Sequence, residues 1–188
     1  MPEKNHRRFA LSDIARIGVF SALAFAANAP FLVIPNVEIF TLILFLSGVF
    51  LGIIDGLGVA IVAGIIFVFF NPNGPQTIFI VGLAQLLGFV LYGLAGGVLR
   101  QLVLHYQNTR GLMLLMAICG ASLTLWYDIT TNLAFAVVIG PFWPTLVGGM
   151  GYGIIHLISN TVIFAFSSLI INRIWKRIGY LLPPVAIY

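Results

Sequence analysis

Asp128 is a carboxylate set inside an apolar run that extends over residues 112–139. A charge at that depth is costly unless it is paired or used. Asn132 follows it by four residues and so shares its helical face, and Trp126 and Tyr127 stand beside it. A second apolar run repeats the arrangement, with Tyr152, His156 and Asn160 each four apart. A carboxylate and an imidazole can pass a proton as an acid–base pair. With amides and aromatic rings they can instead hold a solute. Their plainest use is as glue between helices, on the order of 1 kcal/mol or less per bond. Gln85, Asn36, Glu38, Asn73 and Trp143 complete the candidate set. Cys119 is the only cysteine, so neither an intrachain disulfide nor a cysteine metal site is available, and it reads as a packing residue.

The elements that would position these groups are helices in lipid. The 188 residues are 61% hydrophobic and only 7% charged, with a mean hydropathy of +1.10. A soluble domain of this size cannot hide so much apolar surface. The apolar runs are continuous rather than alternating, which excludes a transmembrane barrel. The expected fold is all-α: one integral membrane domain over 1–188, with a basic arm at 1–10 and a short tail at 178–188. The arm before the first apolar run has the look of a secretion signal, and Ala27-Asn28-Ala29 that of a cleavage site. Pro30 directly after it speaks against cleavage.

Six helices are expected, at about 13–29, 39–54, 57–70, 76–99, 111–139 and 145–175. Ser12 or Asp13 can cap the first. A turn at Asp55-Gly56 separates the second and third, with Asp55 as a cap, and both are short for a span of ~20 residues. Asn71 to Pro75 and Gly140 to Pro144 read as turns. The glycines at 148, 149, 151 and 153 suggest close packing or irregularity. On the first helix Gly18, Ala22 and Ala26 form a ladder of small residues, a surface that lets another helix approach closely, either from within the chain or from a partner.

Charge sets the orientation. Lys and Arg occur only at 4, 7, 8, 16, 100, 110, 173, 176 and 177. Six spans place all of them on or near one side, which the positive-inside rule makes the cytoplasm, with both termini there. The clusters are membrane anchors and not a nucleic-acid surface. The outer loops at 30–38, 71–76 and 140–144 hold no Lys or Arg and one acid, Glu38. Counting inward from them, Asn132 and Tyr152 lie about seven residues deep, Asp128 and His156 about eleven, and Gln85 about nine or ten, so the polar stripes meet at one depth. The expected consequence is a cavity open to the outside, with Asp128 against His156 and Asn132 against Tyr152. Lacking a basic residue, it suits a neutral or cationic solute, with Trp126, Tyr127, Trp143 and Tyr152 for stacking.

The chain has no Gly-x-x-x-x-Gly-Lys-Ser/Thr, His-Glu-x-x-His or Gly-x-Ser-x-Gly motif, and only two lysines. There is no clear inverted repeat of a self-contained transporter. No catalytic residue, metal or cofactor is assigned. A binding-competent membrane protein without an engine points to a subunit that borrows one.

Over residues 11–175 the chain resembles the substrate-binding (S) component of energy-coupling-factor (ECF) vitamin transporters. The resemblance rests on six helices with both ends inside and on the ladder Gly18, Ala22, Ala26. It rests also on Pro35-Asn36-Val37-Glu38 leading to Thr41 and the Gly48/Gly52 helix, and on Trp126-Tyr127-Asp128 with Thr131-Asn132, followed by His156 and Asn160. It implies a multi-pass protein of a prokaryotic plasma membrane. Ala22 and Ala26 would dock on a transmembrane coupling subunit driven by two ATPase subunits, and a vitamin would bind among the outer loops and the last three helices. Capture outside would be followed by toppling in the membrane. The nearest branch is the cobalamin type, with queuosine precursors, riboflavin and thiamin as further candidates. The competing readings are an intramembrane enzyme using Asp128 and His156, and a structural membrane subunit.

Overall fold

The computed structural model describes residues 10–31, 33–71, 75–106 and 108–184, and among them it is helical with no strand. The helices are α1 (Leu11–Asn28), α2 (Phe40–Leu51), α3 (Ile53–Phe70), α4 (Phe79–Val98), the short α5 (Arg100–Leu104), α6 (Thr109–Ile139) and α7 (Phe142–Ile178). Single 3₁₀ turns follow α1 and α7 at Ala29–Phe31 and Gly179–Leu181. Five helices are long and apolar enough to cross a membrane: α1, α3, α4, α6 and α7. The sixth apolar helix, α2, has only 12 residues, or roughly 18 Å at the usual rise.

This short helix is the centre of the bundle. All its residues but Ile43 are buried, and α1, α3, α4, α5 and α7 all pack on it. A helix that is apolar all round needs neighbours on every side. They come close because glycines remove the side chains between them. A Cβ on Gly96 of α4 would overlap the carbonyl oxygen of Phe45, and one on Gly56 of α3 would lie 2.6 Å from the Cα of Gly48. Backbones thus meet backbones, as helix packing in lipid favours.

Gly52 joins α2 to α3 with φ 92°, a backbone conformation that side chains resist. The reversal therefore falls three residues before the expected Asp55-Gly56 turn. Asp55 sits instead in the first turn of α3, fully buried, with Arg16 of α1 at 3.5 Å. Arg100 does not serve as a surface anchor either. It is buried, donates to the Phe50 carbonyl at 3.2 Å and to the Pro183 carbonyl, and so supplies donors to the open C-terminal end of α2. The glycine-rich start of the last helix is regular, part of one continuous helix of 37 residues.

On α1, Asp13, Ser21, Ala24 and Asn28 face the bundle, while Gly18, Ala22 and Ala26 are exposed on the outer side. Among the described residues the ladder is thus not used for packing inside this chain.

The two kinds of glycine should respond differently to a methyl group. Gly96→Ala forces backbone apart and should lower thermal stability in detergent by at least the ~1–3 kcal/mol usual for overpacking. Gly18→Ala meets nothing within 4 Å and should change stability by no more than about 0.5 kcal/mol.

Candidate functional site

α6 and α7 form an antiparallel pair, and at three places a glycine makes room for a side chain of the site. A Cβ on Gly149 would overlap the amide of Asn132, one on Gly153 would touch Asp128 Oδ2 at 3.5 Å, and one on Gly88 of α4 would run into the Tyr127 ring. The polar stripe of α6 is thereby seated against α7. Asp128 Oδ1 lies 2.8 Å from His156 Nδ1, as the matched depths require. Asp128 Oδ2 has no hydrogen-bond partner. The second expected pair does not form: Asn132 lies against Gly149, and no hydrogen bond joins it to Tyr152 among the described residues.

The other imidazole nitrogen, Nε2, lies 3.1 Å from Asn160 Nδ2 and 3.5 Å from Glu38 Oε1. Asn160 is fully buried and donates toward Glu38 Oε1 at 3.0 Å and Thr124 Oγ1 at 3.0 Å. Thr124 in turn meets the buried Tyr92 hydroxyl at 2.9 Å. Glu38 also takes the Thr41 hydroxyl and, at 2.8 Å, the Thr41 backbone N–H. It therefore serves the exposed donors at the start of α2 as an N-cap residue would. Burial pushes the Glu38 carboxyl up, but His156 and the two Thr41 donors outweigh it and hold it below the usual range.

The loop that carries Glu38 is tied across α7. Asn36, with φ 57°, donates its amide to the Tyr152 carbonyl at 2.8 Å, and its own carbonyl accepts the Ser159 hydroxyl at 2.9 Å. On the other side the Ile39 N–H donates to Asn28 Oδ1 at 3.0 Å.

Between this loop, α3, α4 and the α6–α7 pair lies a cavity of about 880 Å³, in the range of small-molecule sites. Asn36, Glu38, Gln85, Tyr127, Asp128, Asn132, Tyr152 and His156 all line it. Asn160 does not; it braces His156 and Glu38 from behind. Trp143 is 70% exposed and packs on Phe142, so it takes no part. Trp126 likewise faces outward, because a position two residues from Asp128 points to the other side of the helix. Asn73 lies outside the described residues. Thr130 and Thr131 satisfy their hydroxyls on their own helix, with Thr131 Oγ1 bonding the Tyr127 carbonyl at 2.8 Å.

The sequence reading missed three parts of the site. Thr124 and Tyr92 close the network below Asn160, and Thr124 could have been found, being four residues before Asp128. Phe40, Phe67 and Phe89 form an aromatic wall with Tyr127. Isolated Phe residues in an apolar chain give no such signal. No group of three His, Cys, Asp or Glu is arranged to hold a metal ion among the described residues.

Comparison of the chain with protein-family models, with curated proteins and with solved structures finds no match in any of the three. The site therefore has to be read from its own chemistry. It offers two carboxylates, one imidazole with both nitrogens engaged, several amides and an aromatic wall. Such a set can hold a solute through hydrogen bonds and ring contacts, and the Asp128–His156 contact can also pass a proton.

The Glu38 latch carries a pH signature. A carboxyl whose pKa is lowered by folding stabilises the fold above its unfolded value of about 4.3 and loses that contribution as pH falls through the lower folded value. Thermal unfolding of the wild type in detergent should therefore weaken progressively below about pH 4. Glu38→Gln should be less stable at neutral pH and should show a smaller acid-side decline.

Proposed function

We propose that this chain is the solute-capturing S component of an energy-coupling-factor uptake system, working with a transmembrane coupling subunit and two ATPase subunits. The observation that carries the reading is the cavity of about 880 Å³ between the Asn36–Glu38 loop and the polar faces of α6 and α7. The outward-turned ladder Gly18, Ala22, Ala26 supports it, because a small-residue face free of internal packing is what a docking helix needs. In this proposal the protein sits in a prokaryotic plasma membrane with six helices and both termini in the cytoplasm. The basic residues at 16, 100, 110, 173, 176 and 177 then fall on the cytoplasmic side. The short α2 counts as the sixth element, reaching only part of the depth within a shell of longer helices. The solute is a neutral or cationic vitamin-like molecule, since no Lys or Arg lines the cavity among the described residues.

The Asp128–His156 contact at 2.8 Å keeps an intramembrane acid–base enzyme as the second reading. His156 has a neighbour at each ring nitrogen, Asp128 on one side and Asn160 with Glu38 on the other, which favours a bracing role. Turnover of a lipid substrate by the isolated protein, lost in Asp128→Asn without loss of binding, would favour the enzyme.

Two measurements test the proposal. A panel of cobalamin, a queuosine precursor, riboflavin and thiamin should contain a compound that raises thermal stability, by about 2.7 kcal/mol at a hundredfold excess over its Kd. If no such compound exists, a purely structural subunit is favoured. With the coupling module present, Ala22→Leu or Ala26→Leu should abolish ATP-dependent uptake while solute binding survives. Unchanged uptake in both variants removes the docking role of α1.

A further inference from the structure

The cavity has an unbalanced charge. Its described lining holds Glu38 and Asp128 but no Lys or Arg. Arg16 is engaged with Asp13 and Asp55, and Arg100 with the carbonyls at the end of α2. His156 stands between the two acids and, protonated or not, can cancel at most one of them. Glu38 is the better served, with Thr41, Asn160 and the N-terminal end of α2 around it. The deficit therefore falls on Asp128, which has His156 on Oδ1 and no partner on Oδ2. Away from bulk water an uncompensated charge is expensive, and a bound counter-charge relieves it.

A second feature has the same sign preference. Two partly exposed rings, Phe67 and Tyr127, line the cavity, and both pack on the buried Phe89 ring with centroids 5.1 and 5.3 Å from it. Aromatic faces attract cations and flat rings, and they repel anions. A neutral ring satisfies the aromatic wall alone, and an anion satisfies neither feature. A flat cation satisfies both.

We infer that the ligand is a cationic planar nitrogen heterocycle, its ring against Phe67 and Tyr127 and its charge toward Asp128. The inference rests on the solute-capture reading and narrows its neutral-or-cationic class to the cation.

The test uses the full chain in nanodiscs of zwitterionic lipid, with empty nanodiscs as the control for partitioning. Equilibrium dialysis compares three probes built on one skeleton: N-methylquinolinium, quinoline and quinoline-3-carboxylate. The cation should bind about tenfold more tightly than quinoline, as a desolvated cation–π contact and one carboxylate together allow, and the carboxylate should show no saturable binding. Asp128→Asn should bring the cation-to-neutral ratio close to one. Because that change also removes a partner of His156, Gln85→Glu serves as the second variant. It adds a like charge at a lining position without changing the size of the side chain, and it should raise the ratio. Quinoline binding as tightly as the cation, or saturable binding of the carboxylate, overturns the cationic class and leaves solute capture standing. A ratio unmoved by both variants overturns the role of the cavity's acidic charge. Absence of saturable binding by all three probes overturns the inference, while the vitamin panel decides separately on solute capture.

Discussion

The cavity exists because one helix is too short. α2 runs for 12 residues, roughly 18 Å against a hydrocarbon core of about 30 Å. The long helices around it, α1, α3, α4 and α7, run for 18 to 37 residues. Backbone contact at the glycine positions of α2, α3 and α4 holds this short rod in the middle of the bundle. Its C-terminal end is fixed by Gly52 and by Arg100, so the missing length is left above its N-terminal end. Phe40 and Thr41, the first two residues of α2, line the cavity from there. A full-length α2 would fill the space in which a solute can sit.

An exposed helix N-terminus at such a depth needs acceptors, and this need organises the polar network. Glu38 answers the N–H and hydroxyl of Thr41 and, with its other contacts, reaches Asn160 and His156. His156 passes the connection to Asp128 on α6. One carboxylate thus caps the central helix and ties the outer loop to α7. Satisfied groups of this kind are stable away from water, whereas a half-satisfied set is costly. Among the carboxylates of this network Asp128 is the one left with an open oxygen, and it lies on the cavity wall next to Tyr127. Glu38 has partners on both carboxylate oxygens, whereas Asp128 keeps Oδ2, and Asn160 its amide oxygen, without a partner among the described residues.

Much of this could be read from residue types and periodicity. The four-residue spacing of Asp128 and Asn132, and of Tyr152, His156 and Asn160, gives two faces, and counting from the proline turns gives their depth. That reasoning places Asp128 against His156 correctly, since both lie on long regular helices whose rise is uniform. It fails for Asn132 and Tyr152, because the space between those positions is decided by Gly149 and by the Asn36 loop. It fails also at the α2–α3 reversal. Asp55-Gly56 looks like a turn by composition, but Gly52 takes the left-handed conformation and Asp55 is drawn inward by Arg16. Short-range composition cannot report a partner 39 positions away. Trp143 and Trp126 suit a cavity by chemistry alone. Their exposure follows from helical angle in one case and from the packing of Trp143 on Phe142 in the other.

The two faces of α1 connect the outer ladder with the site. Gly18, Ala22 and Ala26 face away from the bundle, while Asn28, at the end of the same helix, accepts the Ile39 N–H beside Glu38. The connection is rigid at the far end too, where Arg16 joins α1 to Asp55 of α3. A partner helix seated on the ladder would press on a rod whose tip holds the loop closing the cavity. Any tilt of α1 relative to α7 must strain the Asn28–Ile39 bond or the contacts of Asn36 and Glu38 with α7. The exposed or half-exposed hydrogen bonds of Asn28 and Asn36 are individually weak, about 1 kcal/mol each, so they can open without loss of the glycine-packed centre. The fold therefore joins a glycine-packed core of α2, α3 and α4 to a loop held by the Asn28 and Asn36 bonds and, at Glu38, by the charged network to Thr41, Asn160 and His156.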